Sequence, residues 1–220
     1  MDDIATLAGV LGRKYRVVDL SQEVRPGILK IGGDYQWGGE VRKFELRQFA
    51  APGPDLMHFV ETETHVGTHV EVPSHIRDEW KSCAEMPLDS FWGEAIVLKF
   101  DDLGPGEDGR AVITADHLER VRAGDIVLLK GPSDGRGAPG ISEEAAQLMA
   151  SLPVKMVGEQ NVGISHQLHI TLFEREIPII ERLANLEQLT RERFLFFGFP
   201  LRVHGLESSW IRAVAFEPID

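Results

Sequence analysis

This sequence predicts an α/β fold built on a mixed sheet, and three observations carry that prediction. Short apolar runs bounded by glycine and proline, at 95–100 and 125–130, have the length and branched content of buried strands. Segments 41–49 and 57–66 alternate apolar and polar residues, as antiparallel strands with one covered face do. Capped helical stretches lie between the later strands, which points to one layered body rather than a pure β fold.

Taken in order, residues 2–11 predict a short helix and 16–20 a strand. Residues 21–40 hold Pro26, Gly27, Gly32, Gly33, Gly38 and Gly39 and predict a long loop placed to cover a site. Thr114 is the predicted N-cap of a helix over 115–122 that Gly124 stops. Ser142 caps a second helix, whose first turn carries Glu143 and Glu144 where the helix dipole favours acid. Strands are expected at 154–158, 177–181, 194–199 and 211–216, with a helix at 167–175.

The chain has 220 residues, 43% of them hydrophobic and 26% charged, which suits one globular domain over 1–220 and argues against disorder. The longest apolar stretch, 194–201, is far short of the ~20 residues of a membrane span. The acidic start Met1-Asp2-Asp3 lacks the features of a secretory signal, so a cytoplasmic protein with no membrane partner is expected. One cysteine, Cys83, excludes an internal disulfide and a four-cysteine zinc site. Lys+Arg 23 against Asp+Glu 35 gives a net charge of −12, which repels nucleic acid at long range.

The chemistry concentrates in His65-Val-Gly-Thr-His69-Val-Glu71-Val-Pro-Ser-His75. A helical H-x-x-x-H pair is opposed by Gly67, Pro73 and the β-branched residues between them. Read as extended chain, His65, His69, Glu71 and His75 share one parity, and Val66, Val70 and Val72 the other. A straight strand would hold His65 about 13 Å from His69, too far for one ion bound at ~2.0–2.1 Å from each. The segment must therefore bend near Gly67, where a missing Cβ permits unusual dihedrals.

The same stretch closely resembles the H-x-G-T-H-x-D-x-P-x-H signature of the cyclase-like metal-dependent hydrolases, which include bacterial kynurenine formamidases and isatin hydrolases. Every signature position matches except Glu71, which stands where the family carries Asp. The resemblance continues through Asp19-Leu20-Ser21, Gly124–Leu129, Pro139–Ala146, Val154–Gly158, His169, Ile177–Glu181 and Phe199–Arg202, nearly the whole chain. It implies a cyclase-like fold of the swivelling β/β/α type. It also implies a first ion on His65, His69 and Glu71, and a second on His169 and Glu181 with Glu71 bridging. His75 would be the general acid/base. Glu71 is a methylene longer than Asp, so either the backbone recedes or the metal geometry changes. One or two ions per chain, Zn²⁺ or Mn²⁺, suit mixed imidazole and carboxylate donors. Where many relatives read Ile-Asp this chain reads Glu159-Gln160-Asn161, and the pocket wall is expected to differ there.

The implied activity is hydrolysis of a small amide, formamide or lactam, and relatives associate as homodimers or homotetramers. The expected contacts are residues 2–12 and the loop 21–40. A non-catalytic small-ligand-binding protein that keeps its metal for structure is the alternative. Gly135–Gly140 satisfies G-x-G-x-x-G, but it starts five residues after the preceding strand and holds Pro139, so no dinucleotide is expected. Cys83 has no base partner in the sequence pattern and reads as a small buried residue. Trp37, Phe59, Trp80 and Trp92 read as core ahead of ligand-stacking residues, and His58, His117, His166 and His204 as structural.

Overall fold

The computed structural model describes residues 14–28, 36–37, 40–51, 53, 55–105, 109–134 and 137–219. The helix expected at 2–11, and most of 29–39, lie outside them. In chain order, β1 (Tyr15–Asp19) precedes the short strands β2 (Gly27–Ile28), β3 (Gln36–Trp37) and β4 (Glu40–Val41). The long hairpin β5 (Lys43–Ala50) and β6 (Leu56–Thr62) leads to β7 (His69–Glu71) and β8 (Trp92–Lys99). Then come β9 (Val112–Ile113), β10 (Ile126–Lys130), β11 (Gly140–Ile141), α1 (Glu143–Ser151) and β12 (Met156–Gln160). α2 (His166–Phe173), β13 (Ile179–Glu181), β14 (Arg193–Phe197), β15 (Ser208–Trp210) and β16 (Val214–Pro218) complete it.

Among the described residues one mixed sheet of nine strands runs β1-β16-β14-β8-β10-β12-β13-β7-β15. The centre, β8-β10-β12-β13, is parallel, and its flanks are antiparallel. Strand parity divides the core. Ala95, Val97, Ile126 and Leu128 pack on one face with Val18, Val70 and Phe196. Ile96, Leu98, Val127 and Leu129 pack on the other against Ala146 and Met149 of α1 and Leu168 and Leu172 of α2. A parallel strand covered on both faces reads as a continuous apolar run, as 126–129 does.

Several boundaries move. Ser142 caps α1 as expected, accepting from the Ala145 amide. The predicted helix 115–122 is a single 3₁₀ turn, Ala115–Leu118. The His117 imidazole accepts from the Thr114 amide, and Val121 bonds back three residues to Leu118, so the turn never widens to α geometry. The last strand starts at Val214, not at 211, and β15 was not anticipated.

The β5–β6 hairpin stands apart from the main sheet in a three-stranded sheet with β2. Leu56, Phe59 and Val60 on it are 66%, 52% and 51% exposed, so among the described residues this ribbon has little apolar cover.

Candidate metal centre

The site is built by strand register. His69 of β7 lies directly opposite Glu181 of β13, and Glu71 opposite Ile179. Cross-strand partners point to the same face, as do residues two apart on one strand. His69, Glu71 and Glu181 are therefore brought to one side, while Val70 and Ile180 point into the core at 0% exposure. His169 arrives from α2, and its Nε2 is 2.8 Å from Glu71 Oε2.

The bend expected at Gly67 is present, with φ +61°. It lets the His65 ring come within 5.0 Å of the His69 ring, centroid to centroid. A Cβ there would lie 2.3 Å from Val24 Cγ2, so the turn is also pressed against the segment after β1. Gly67→Ala is expected to destabilise the fold by about 2–4 kcal/mol, through the left-handed backbone and the clash together. Urea unfolding measures this; a loss below about 0.5 kcal/mol, the level of an ordinary surface change, would contradict it.

Beyond β7, Pro73 opens a 3₁₀ turn, Pro73–His75, that swings His75 back toward the cluster. His75 Nε2 lies 4.0 Å from Glu71 Oε2, and its ring sits 4.7 Å from that of His65 and 5.6 Å from that of His169. All six predicted site residues thus meet at one cleft of about 480 Å³. Donor atoms of His65, Glu71 and His75 lie within 4.8 Å of one another, as do those of His69, Glu71 and Glu181. Glu71 belongs to both sets, and its Oε1 also meets His65 Nδ1 at 2.8 Å and His69 Nε2 at 3.3 Å.

The histidine tautomers follow from their partners. His69 Nδ1 is 2.8 Å from the Gly67 carbonyl and His169 Nδ1 is 3.0 Å from the Ser165 carbonyl. A carbonyl only accepts, so each Nδ1 carries the proton and donates it. In the neutral rings both Nε2 lone pairs then point at Glu71, at 3.3 Å from His69 and 2.8 Å from His169. Two acceptors facing each other repel unless a cation, either a proton or a metal ion, lies between them. Backbone carbonyls fixing the outer nitrogen are also what orients metal-ligating histidines.

The charges say the same. Burial works against ionisation of Glu71, but His169, His65 and His69 outweigh it and hold the carboxyl well below its usual range. Burial and the neighbouring Glu71 push Glu181 up. Burial disfavours a charged His65, yet Glu207 and Glu71 on its two sides raise it to about 9. Glu207, held by His65 and Thr64, falls to about 2. His75 is lowered, mainly by burial. Two carboxylates and four imidazoles sharing so little space call for a cation.

Other residues at the site were not singled out by the sequence. Arg42, Glu63, His166 and Arg182 also line the cleft. Arg182, next to Glu181 in the chain, was open to notice; Arg42 and Glu207 arrive only through the tertiary fold. Glu159 lies beneath the wall, its carboxylate accepting from the Arg182 amide at 2.7 Å and the Val162 amide at 3.0 Å. The aromatic residues are elsewhere. Trp92 stacks on Phe197, Phe59 on Phe49, and Trp80 packs under Arg77; none of them lines the cleft. The side chain of Trp37 lies outside the described residues. Cys83 is buried, which pushes its thiol up to about 12 and keeps it unreactive.

The Cyclase family model matches residues 18–166 of the chain. The chain is 26% identical to a kynurenine formamidase of Erythrobacter litoralis over 90% of its length and 93% of the relative's. It is 25% identical to the Salinibacter ruber kynurenine formamidase, over 90% and 96%. Among solved structures, isatin hydrolase A from Ralstonia solanacearum superposes with a TM-score of 0.75 at 20% identity, covering 92% of each chain. A potential metal-dependent hydrolase with cyclase activity superposes with a TM-score of 0.72 at 21% identity, over 92% of this chain and 98% of that one.

Proposed function

The chain belongs to the cyclase family, and from that premise we propose that it is a metal-dependent hydrolase of a small amide, formamide or lactam. One observation carries the reading: the Nε2 lone pairs of His69 and His169 are fixed on Glu71 by backbone carbonyls behind each ring. That arrangement fits a divalent ion, zinc or manganese, on His69, Glu71, Glu181 and His169, with His65 completing the set on the side of Glu207. Amide hydrolysis by its relatives supports the choice of bond.

Bound there, a divalent ion supplies an acidified water and a polarised carbonyl. The protein's own part falls to His75. Its imidazole is about one-third exposed to the cleft and held below its ordinary pKa, so it is neutral near pH 7. It accepts the proton of the attacking water and returns it to the leaving nitrogen. Ile164 and the histidine rings line the cleft beside it. A panel of N-formylarylamines, lactams and simple esters tests the reading. Hydrolysis of a formamide or lactam is the expected result. No turnover of any member by metal-loaded protein would favour the structural-metal binder.

We further propose a homodimer or homotetramer that covers the β5–β6 ribbon, because Leu56, Phe59 and Val60 leave so much apolar surface open. Light scattering should give a multiple of 24.5 kDa; a 24.5 kDa species at micromolar concentration would contradict it. Among the described residues no helix is long and apolar enough to cross a membrane.

A further inference from the structure

We infer that Arg182 is a specificity residue that receives a carboxylate on the substrate, an inference that rests on the amide-hydrolase reading. It starts from the backbone. Arg182 has φ +60°, a left-handed conformation that residues with a Cβ seldom adopt. Such strain persists only where the surroundings impose it, and it concentrates at functional sites.

Here the surroundings are unusually committed. The Arg182 amide donates to Glu159 Oε1 at 2.7 Å, and its carbonyl accepts from Thr68 Oγ1 at 2.6 Å. Both anchors are buried, Glu159 at 7% exposure and Thr68 at 4%. Each is itself fixed: Glu159 Oε2 by the Val162 amide at 3.0 Å, and Thr68 Oγ1 by the Gln22 amide at 2.8 Å. A buried carboxylate whose ionisation burial disfavours is thus used to hold one arginine in a strained pose. Packing alone does not need this, because Arg182 is only half-buried.

The pose directs the residue to the cleft, which Arg182 lines immediately beside Glu181. Two arginines line that cleft, and they are not equivalent. Arg42 is committed to Glu63 and the His65 carbonyl. The Arg182 guanidinium makes no hydrogen bond or ion pair with any described residue, although Glu181 and Glu159 both sense its charge. The carboxylates of Glu63, Glu71 and Glu181 line the cleft as well. Metal binding would neutralise much of that negative field, leaving Arg182 as the group that a carboxylate can engage through paired N–H donors.

The competing role for Arg182 is to temper Glu181, which would affect all substrates alike. Two probes separate the roles: 2-formamidobenzoate and formanilide, which differ only in the carboxylate. The ratio of their kcat/KM values should favour 2-formamidobenzoate in the metal-loaded wild type. It should fall about ten- to hundredfold in Arg182→Gly, mainly through KM, as expected for loss of one charge-assisted pair. Arg182→Lys should keep part of the preference. Glycine tolerates the left-handed backbone, so the variant should melt no lower than wild type. A ratio unchanged across the three proteins overturns the inference. If neither probe is hydrolysed, calorimetry with benzoate and benzamide replaces the kinetics. Benzoate binding that weakens in Arg182→Gly would sustain the inference while the amide-hydrolase reading fails. Benzoate binding that is absent, or equal in both proteins, would overturn it.

Discussion

Replacing Glu71 by glutamine is expected to remove the bound metal and to lower amide hydrolysis about 10³-fold or more, the several kcal/mol of barrier that a bound cation supplies. Glu71 is 2% exposed and, among the described residues, is the one carboxylate that reaches His65, His69 and His169 together. Glutamine keeps the shape but loses the charge and one acceptor. Its amide can also donate to the Nε2 of His169, satisfying without a cation the lone pair that faces Glu71. Even so, metal-free Glu71→Gln should melt below metal-free wild type, because the neighbouring histidines favour the ionised carboxylate that glutamine lacks. Added zinc should raise the melting temperature of the wild type alone, because an ion that binds only the native state stabilises it by linkage. Melting curves with and without zinc, beside elemental analysis, read both effects. A variant that retains metal and rate would remove Glu71 from the centre of the account.

His75→Ala has the second largest expected effect, a fall in kcat of ~10²–10⁴ with metal content and fold intact. The basis is position. His75 Nε2 stands 4.0 Å from Glu71 Oε2, farther than His65 or His169, and its ring packs edge-on against Phe173 at 6.5 Å. His75 also belongs to one of the two sets of close donor atoms, so the decisive readout is metal content. A variant that loses metal in parallel with rate would make His75 a ligand and leave the proton transfer to another group.

Much of the site was legible because its chemistry is local. Residues 65–75 carry their candidate ligands at a spacing that forces a bend, and Gly67, the residue in the segment able to make it cheaply, stands at the bend with φ +61°. The opposite parity, Val66, Val70 and Val72, is core, as the alternation predicted. The pairing of His169 with Glu181 was reachable only through family resemblance, because it depends on α2 and β13 meeting β7. The closeness of His69 to Glu181 was not legible, since it is fixed by the register that sets them opposite each other. Glu207 and Arg42 escaped notice for the same reason: their contacts with the histidine segment span 142 and 23 residues, beyond any local pattern. The four-residue turn at Ala115–Leu118 was misread as a longer helix because its backbone bonds, His117 to Thr114 and Val121 to Leu118, run three residues back and not four.

The central claim is that the carboxylates and imidazoles around Glu71 hold a divalent ion on which hydrolysis depends. Protein stripped by a chelator and titrated with zinc or manganese, with hydrolysis of an N-formylarylamine followed at each addition, tests it most directly. The account predicts uptake that saturates at about one to two ions per chain, as the two donor sets sharing Glu71 allow, with activity rising along the same curve. Full activity in the stripped protein, or no uptake by folded protein, would contradict it.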